Sequence, residues 1–147
     1  MRVYAGMDPR LPLPDVLEHA ARVERLGYDG LHVAETVHDA MAVALLVAEH
    51  TERIVVRTSV ALAFTRSPTL MAYAAWDIAK LSGGRFQLGL GTQIRQNIED
   101  RYGVPFGDDP IARLRDYVGA VRAVFDAFAT GAAPSYESTH YLSLIHI

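Results

Sequence analysis

The sequence predicts an α/β fold, a parallel sheet covered by helices, and three observations predict it. Four strand-like runs alternate with helical segments along the chain. The runs are apolar, as strands covered by helices are. The length is the third. A doubly wound sheet and a (β/α)8 barrel both begin in this way, and a full barrel takes about 250 residues. At 147 residues the chain has the length of four eighths of one.

Each element has a local reason. Arg2–Met7 (RVYAGM) is a short β-like run containing Gly6. Pro14 suits the first turn of a helix, where its missing N–H would have no partner anyway. Val16, Leu17, Ala20, Val23 and Leu26 follow at helical spacing, and Gly27 stands where a C-terminal cap is needed. Tyr28–Glu35 is the second strand. Asp39 can cap a helix that continues to about Glu52. Arg53–Phe64 is rich in β-branched residues and reads as one third strand. Ser67 and Pro68 are an N-cap and a first helical residue, the helix runs to about Leu81, and Gly83 and Gly84 break it. Arg85–Leu90 is the fourth strand. A short helical segment near Arg95–Tyr102 and the loop GVPFGDDP lead to Asp109 and Pro110, which open the most clearly amphipathic helix. Its apolar face is expected to be Ile111, Leu114, Val118, Val121, Phe125 and Phe128, with Gly131 at its end.

Composition narrows the function classes. The chain is 50% hydrophobic and 21% charged, with a net charge of −3 and no Lys/Arg run, which argues against a nucleic-acid partner. There is no cysteine, so disulfides and thiolate chemistry are excluded. The longest apolar run, Ala40 to Ala48, falls far short of the roughly 20 residues that span a bilayer. No export signal is visible after Met1 and Arg2, and a soluble cytoplasmic protein is expected. No histidine pair has metal-ligand spacing, and no serine sits in a G-x-S-x-G elbow.

Both candidate folds place ligands at the C-terminal ends of the strands, which directs attention to Gly6–Asp8, Ala34–Asp39, Ser59–Arg66 and Gly89–Asn97. Gly89–Ile94 (GLGTQI) superficially matches a dinucleotide-binding glycine pattern, but Ile94 stands where its third glycine belongs. Gly89 and Gly91 either let a ligand approach the backbone or relieve crowding between strands. Glu35 can hydrogen-bond a heterocycle or cap a helix. His38 can move a proton or be an ordinary loop histidine. His32 has the opposite strand parity to Glu35 and is expected to point toward the helices. The helices at Asp39–Glu52 and Pro68–Leu81 are more apolar than one buried face requires, through burial against the sheet or as a subunit interface.

Taken together, ARVERLGYDGLHVAET and RTSVALAFTRSPTLMAYAAWDIAKLSGGRFQLGLGTQ resemble the luciferase-like monooxygenase superfamily, most of all its coenzyme F420-dependent branch. The Glu-x-Leu-Gly-Tyr-Asp pattern at Glu24–Asp29, the Arg-x-Pro turn, the Ser-Gly-Gly-Arg helix end and the Leu-Gly-x-Gly-Thr strand end carry the resemblance, which extends to about Tyr141. It implies the N-terminal half of a (β/α)8 TIM barrel, with about four parallel strands and covering helices. It also implies an oxidoreductase or monooxygenase that transfers hydride with F420, preferred, or FMN, on a small organic substrate, and that is a homodimer at full length. Residue by residue, it implies that Glu35 contacts the ring, that Ser59 and Val60 form a cis peptide supporting it, and that Thr92, Gln93 and Asn97 lie against the cofactor.

Two positions depart from the pattern. Sugar-oxidising relatives carry a histidine after the acidic residue, where this chain has Thr36, and a glutamate where it has Ile94. Neither role transfers, a sugar phosphate is not implied, and His38 is the remaining candidate for the catalytic proton. The domain expected is a partial barrel over residues 1–141. The final LSLIHI (142–147) does not continue the pattern and is expected to be a truncated or non-native end. A half barrel has two open sheet edges, so the fragment alone is expected to be inactive. The alternative function is a non-catalytic luciferase-like fold acting as a binding or dimerisation module.

Overall fold

The computed structural model describes residues 1–143. Most of the expectation for residues 142–147 falls on 144–147, outside the described residues. The elements in chain order are β1 (Tyr4–Gly6), α1 (Leu13–Arg25), β2 (Gly30–Val33), α2 (Ala40–Glu49), β3 (Val55–Thr58), β4 (Ala61–Leu62), α3 (Pro68–Leu81), β5 (Phe86–Gln87), β6 (Leu90–Gly91), α4 (Pro110–Thr130), β7 (Tyr136–Glu137) and β8 (Leu142–Ser143). A 3-10 turn covers Ala63–Thr65 and a π-helical turn Asn97–Arg101. The third expected strand is therefore broken into β3, β4 and the 3-10 turn, and the fourth into β5 and β6. Each break lies at a C-terminal strand end, where the backbone leaves the ladder. The chain divides into two compact units, Met1–Ala61 with Ala75–Leu90, and Leu62–Ala74 with the residues from Gly91 onward.

The first unit contains a four-stranded parallel sheet in the order β1-β2-β3-β5. That order never reverses. Since parallel crossovers are right-handed, their helices all fall on one face. This is the winding of a barrel; a doubly wound sheet must reverse. α1 and α2 pack on each other, on β2 and, for α2, on β3. Leu31, Val33 and Val56 are 0% exposed beneath this layer, and Thr58 is buried with them. Burying one such side chain contributes about 1.5–3 kcal/mol.

The opposite sheet face carries His32, Arg57 and Gln87, which the register places beside one another, and Tyr4, which is paired with Gly30. This corrects the expectation for His32. Its parity does differ from that of the buried residues, but those are the ones facing the helices, so His32 faces away from them. Its ring lies 5.1 Å from that of Tyr4.

The predicted caps form. Asp39 accepts from the amides of Met41 and Ala42, and Gly27 leaves α1 with φ 84°. α2 stops at Glu49, earlier than expected. The chain beyond it is pinned by two side chains from distant elements. The Glu24 carboxylate accepts from the amides of Glu52, Arg53 and Ile54 at 2.6–3.2 Å. The Arg85 guanidinium donates to the carbonyls of Ala48, Thr51 and Ile54 and to the Thr51 hydroxyl.

In the second unit, Asp109 caps α4 by accepting from the Ala112 amide at 2.9 Å, and Gly131 ends it with φ 74°. The buried residues of α4 are Tyr117, Ala120, Val121, Val124 and Ala127. This face is rotated from the expected one: Ile111 is 72% exposed, and only Val121 is common to both sets. The hairpin β7–β8 causes the rotation. It packs on α4, with the Tyr141 ring edge-on to Tyr117 at 5.4 Å and Tyr136 against Gly119, where any Cβ would collide with its ring. Arg113 organises the same side. It donates to the carbonyls of Pro105 and Phe106 and to the Tyr141 hydroxyl, and stacks 4.1 Å from the Phe64 ring.

Candidate functional site

The C-terminal ends of β2, β3 and β5 are joined by a short series of bonds in the first unit. The Ser59 amide donates to the Val33 carbonyl at 2.6 Å, the Glu35 amide to the Val60 carbonyl at 3.2 Å, and the Ala61 amide to the Gly89 carbonyl at 2.8 Å. The Thr58 hydroxyl both donates to the Gly89 carbonyl and accepts from its amide. Gly89 is required there, because a Cβ would strike the Thr58 carbonyl. The peptide between Ser59 and Val60 is cis. Glu35 is buried at 8% exposure, while Val60 is 38% exposed. A buried acceptor and an open apolar side chain thus sit within one backbone hydrogen bond of each other.

His38 belongs to the same unit, but its bond runs elsewhere. Its Nε2 lies 3.2 Å from the Leu11 carbonyl oxygen. A carbonyl can only accept, so the bond places a proton on Nε2 and leaves Nδ1 as the ring's basic nitrogen.

The other three expected contacts belong to the second unit. The Thr92 hydroxyl donates to the Gln93 carbonyl at 3.0 Å. Gln93 has φ 61° and accepts from the Ile94 amide through its own side chain. Asn97 opens the π-helical turn, a departure from α geometry that is frequent at functional sites. Arg95 braces this segment by donating to Glu99 at 3.0 Å and to the Gly107 carbonyl at 2.8 Å. Thr92 also borders a groove of about 670 Å³ with Leu114, Arg115, Val118, Arg122 and Tyr136.

Much of the sequence pattern serves the fold instead of the site. In the Glu-x-Leu-Gly-Tyr-Asp stretch, Glu24 holds the α2–β3 connection and the Asp29 carboxylate accepts from the Val3 amide at 2.6 Å. In Ser-Gly-Gly-Arg, the arginine is the Arg85 that closes the end of α2. The sequence reading missed the Arg57 row. Its signal was the parity of Val56-Arg57-Thr58 and of Phe86-Gln87, which sets two polar residues opposite the buried face. Among the described residues no group of three or more His, Asp and Glu could hold a metal ion, and no helix is long and apolar enough to cross a membrane.

Comparison with known proteins adds to this geometry. An uncharacterized protein of Mycobacterium tuberculosis is 41% identical over 137 residues, 92% of this chain and 40% of its own length. An F420-dependent glucose-6-phosphate dehydrogenase of Intrasporangium calvum is 28% identical over 141 residues, 86% of this chain and 42% of that protein. The fold matches the oxygenating constituent of 3,6-diketocamphane monooxygenase from Pseudomonas putida, a type II Baeyer-Villiger monooxygenase solved in complex with FMN. That match has a TM-score of 0.78 at 13% identity and covers 96% of this chain and 43% of that one. The chain therefore spans about two fifths of the length of the relatives it matches, as a partial (β/α)8 barrel. The model of the luciferase-like monooxygenase family matches residues 2–146, and the chain belongs to that family of flavin- and F420-dependent enzymes.

Proposed function

We propose that the chain is the N-terminal part of an oxidoreductase that transfers hydride with F420, or alternatively FMN, on a small organic substrate. Glu35 carries the reading. It is a carboxylate at 8% exposure on the strand end where such folds bind ligands, tied through its own amide to the Val60 carbonyl. The residues fit a planar ring with an N–H donor: Glu35 supplies an acceptor and the half-open Val60 side chain an apolar surface. When bound, the deazaflavin or flavin supplies the hydride chemistry.

In this reading Glu35 orients the ring edge, and Val60 and Ser59 exclude water from one side of it. His38, with Nε2 held by Leu11, offers Nδ1 to accept a proton. The Thr92 hydroxyl and the side chains of Gln93 and Asn97 fix the tail or a ring edge. The preference for F420 rests on the Intrasporangium relative; the FMN-containing structure supports the fold alone. A cytoplasmic homodimer at full length, with turnover requiring more chain than these 147 residues, completes the proposal. The alternative of a non-catalytic binding or dimerisation module, to which the loss of the acid–base residues at Thr36 and Ile94 lends some weight, is not the favoured reading.

The test is F420 binding by Glu35→Gln. In equilibrium titrations of the chain, and of any longer form carrying it, the substitution is expected to weaken binding by about tenfold, the equivalent of one charge-assisted hydrogen bond. Unchanged affinity removes Glu35 from the site.

A further inference from the structure

The sheet face opposite α1 and α2 holds a row of polar side chains on β2, β3 and β5. The register sets Gly6, His32, Arg57 and Gln87 side by side across β1, β2, β3 and β5. The Gln87 side-chain oxygen accepts from Arg57 Nε at 2.8 Å and from its Nη2. The Tyr4 ring crosses Gly30, where any Cβ would strike it, and lies 4.7 Å from the guanidinium carbon. Arg57 is therefore held in place by a neutral amide and a neutral ring. Among the described residues no carboxylate pairs with it.

Two further features bear on what the row could bind. A guanidinium has five N–H donors, and Gln87 takes two of them. With its oxygen turned to Arg57, Gln87 keeps its amide N–H groups to donate. His32 Nε2 is shut off from solvent and has no hydrogen-bond partner.

We propose that Arg57, with Gln87 and His32 beside it, binds an oxyanion of carboxylate or phosphate size. The planar fork suits either, since two parallel N–H donors match two oxygens of one anion. The proposal does not depend on the cofactor reading.

The experiment is an NMR titration of the isotopically labelled 147-residue chain with inorganic phosphate, and separately with acetate, at constant ionic strength set with sodium chloride. The Gln87 side-chain amide and the His32 ring are the reporters. Both are expected to shift saturably with at least one of the anions, and Arg57→Met is expected to weaken that binding by about tenfold or more. Backbone amide dispersion reports whether that variant folds. Arg57→Lys, which keeps the charge and loses the fork, serves independently and is expected to weaken binding by roughly threefold or more. Absence of a saturable shift with both anions, or equal binding in the folded variants, overturns the proposal.

Discussion

Replacing Glu24 by alanine tests how the α2–β3 connection is held. Its carboxylate accepts three successive backbone amides, from Glu52, Arg53 and Ile54. A hydrogen bond to a charged group contributes about 1.5–3 kcal/mol in favourable settings. Here the Glu52 and Arg53 amides are open to solvent and regain water when the carboxylate is lost, so their share is small. Ile54 is 1% exposed, and its amide is the one left without a ready substitute, at about 1–3 kcal/mol. The sum places Glu24→Ala at about 2–3 kcal/mol of lost stability, and Glu24→Gln, which keeps a neutral acceptor, at about 1 kcal/mol.

The assay is urea unfolding, with midpoints compared at unchanged slope. The pH dependence supplies a second check. Burial pushes the Glu24 carboxyl up, but the amides of Arg53, Ile54 and Glu52 and the Arg53 charge outweigh it, holding the group below its ordinary value near 4.5. A depressed folded value contributes stability that is fully present above the ordinary value and lost as pH falls through the folded one. The difference between wild type and Glu24→Gln should therefore narrow as pH drops below about 4.5. A loss under about 0.5 kcal/mol for Glu24→Ala, the range of inert surface changes, would refute the reasoning.

Three further outcomes follow from the same structure. Arg85→Ala removes four hydrogen bonds around the end of α2 and is expected to lower stability by about 3 kcal/mol, measured by thermal or urea unfolding. Gly89→Ala places a methyl group against the Thr58 carbonyl and is expected to cost about 1–3 kcal/mol, with Thr58 and Ala61 amide exchange accelerated. The Asp116 carboxyl is held below its ordinary value near 3.8, first by the His140 ring at 2.7 Å and also by the Ser138 hydroxyl. Hairpin anchoring through this pair is present above that value and lost as pH falls through the lower one. Amide exchange at Ser138 and Tyr141 should report that loss, and Asp116→Asn should abolish its pH dependence.

The order of strands and helices was legible because each boundary has a local chemical marker. Asp39, Ser67 and Asp109 accept from first-turn amides, and Gly27 and Gly131 adopt positive φ at helix ends. Strand interiors were less legible. Arg53–Phe64 is rich in β-branched residues, yet Ser59 and Val60 leave the ladder and the segment closes in a 3-10 turn. Propensity does not register such a departure, because it is set by bonds from β2 and β5. The buried face of α4 was misjudged for a similar reason: the hairpin β7–β8 covers Tyr117 and leaves Ile111 open.

At the strand ends, spacing alone marked the stretches Ala34–Asp39 and Ser59–Arg66, and the family resemblance singled out Ser59 and Val60 within them. Assigning His32 to the helix side failed because parity separates two faces but does not say which one the helices cover. The strand order supplies that answer.

The most direct measurement is a side-by-side fluorescence titration of the chain, and of any longer form carrying it, with F420 and with FMN. The account predicts saturable binding of F420, tighter than that of FMN. Binding of FMN alone would reverse the choice of cofactor, and binding of neither would contradict the enzyme reading itself.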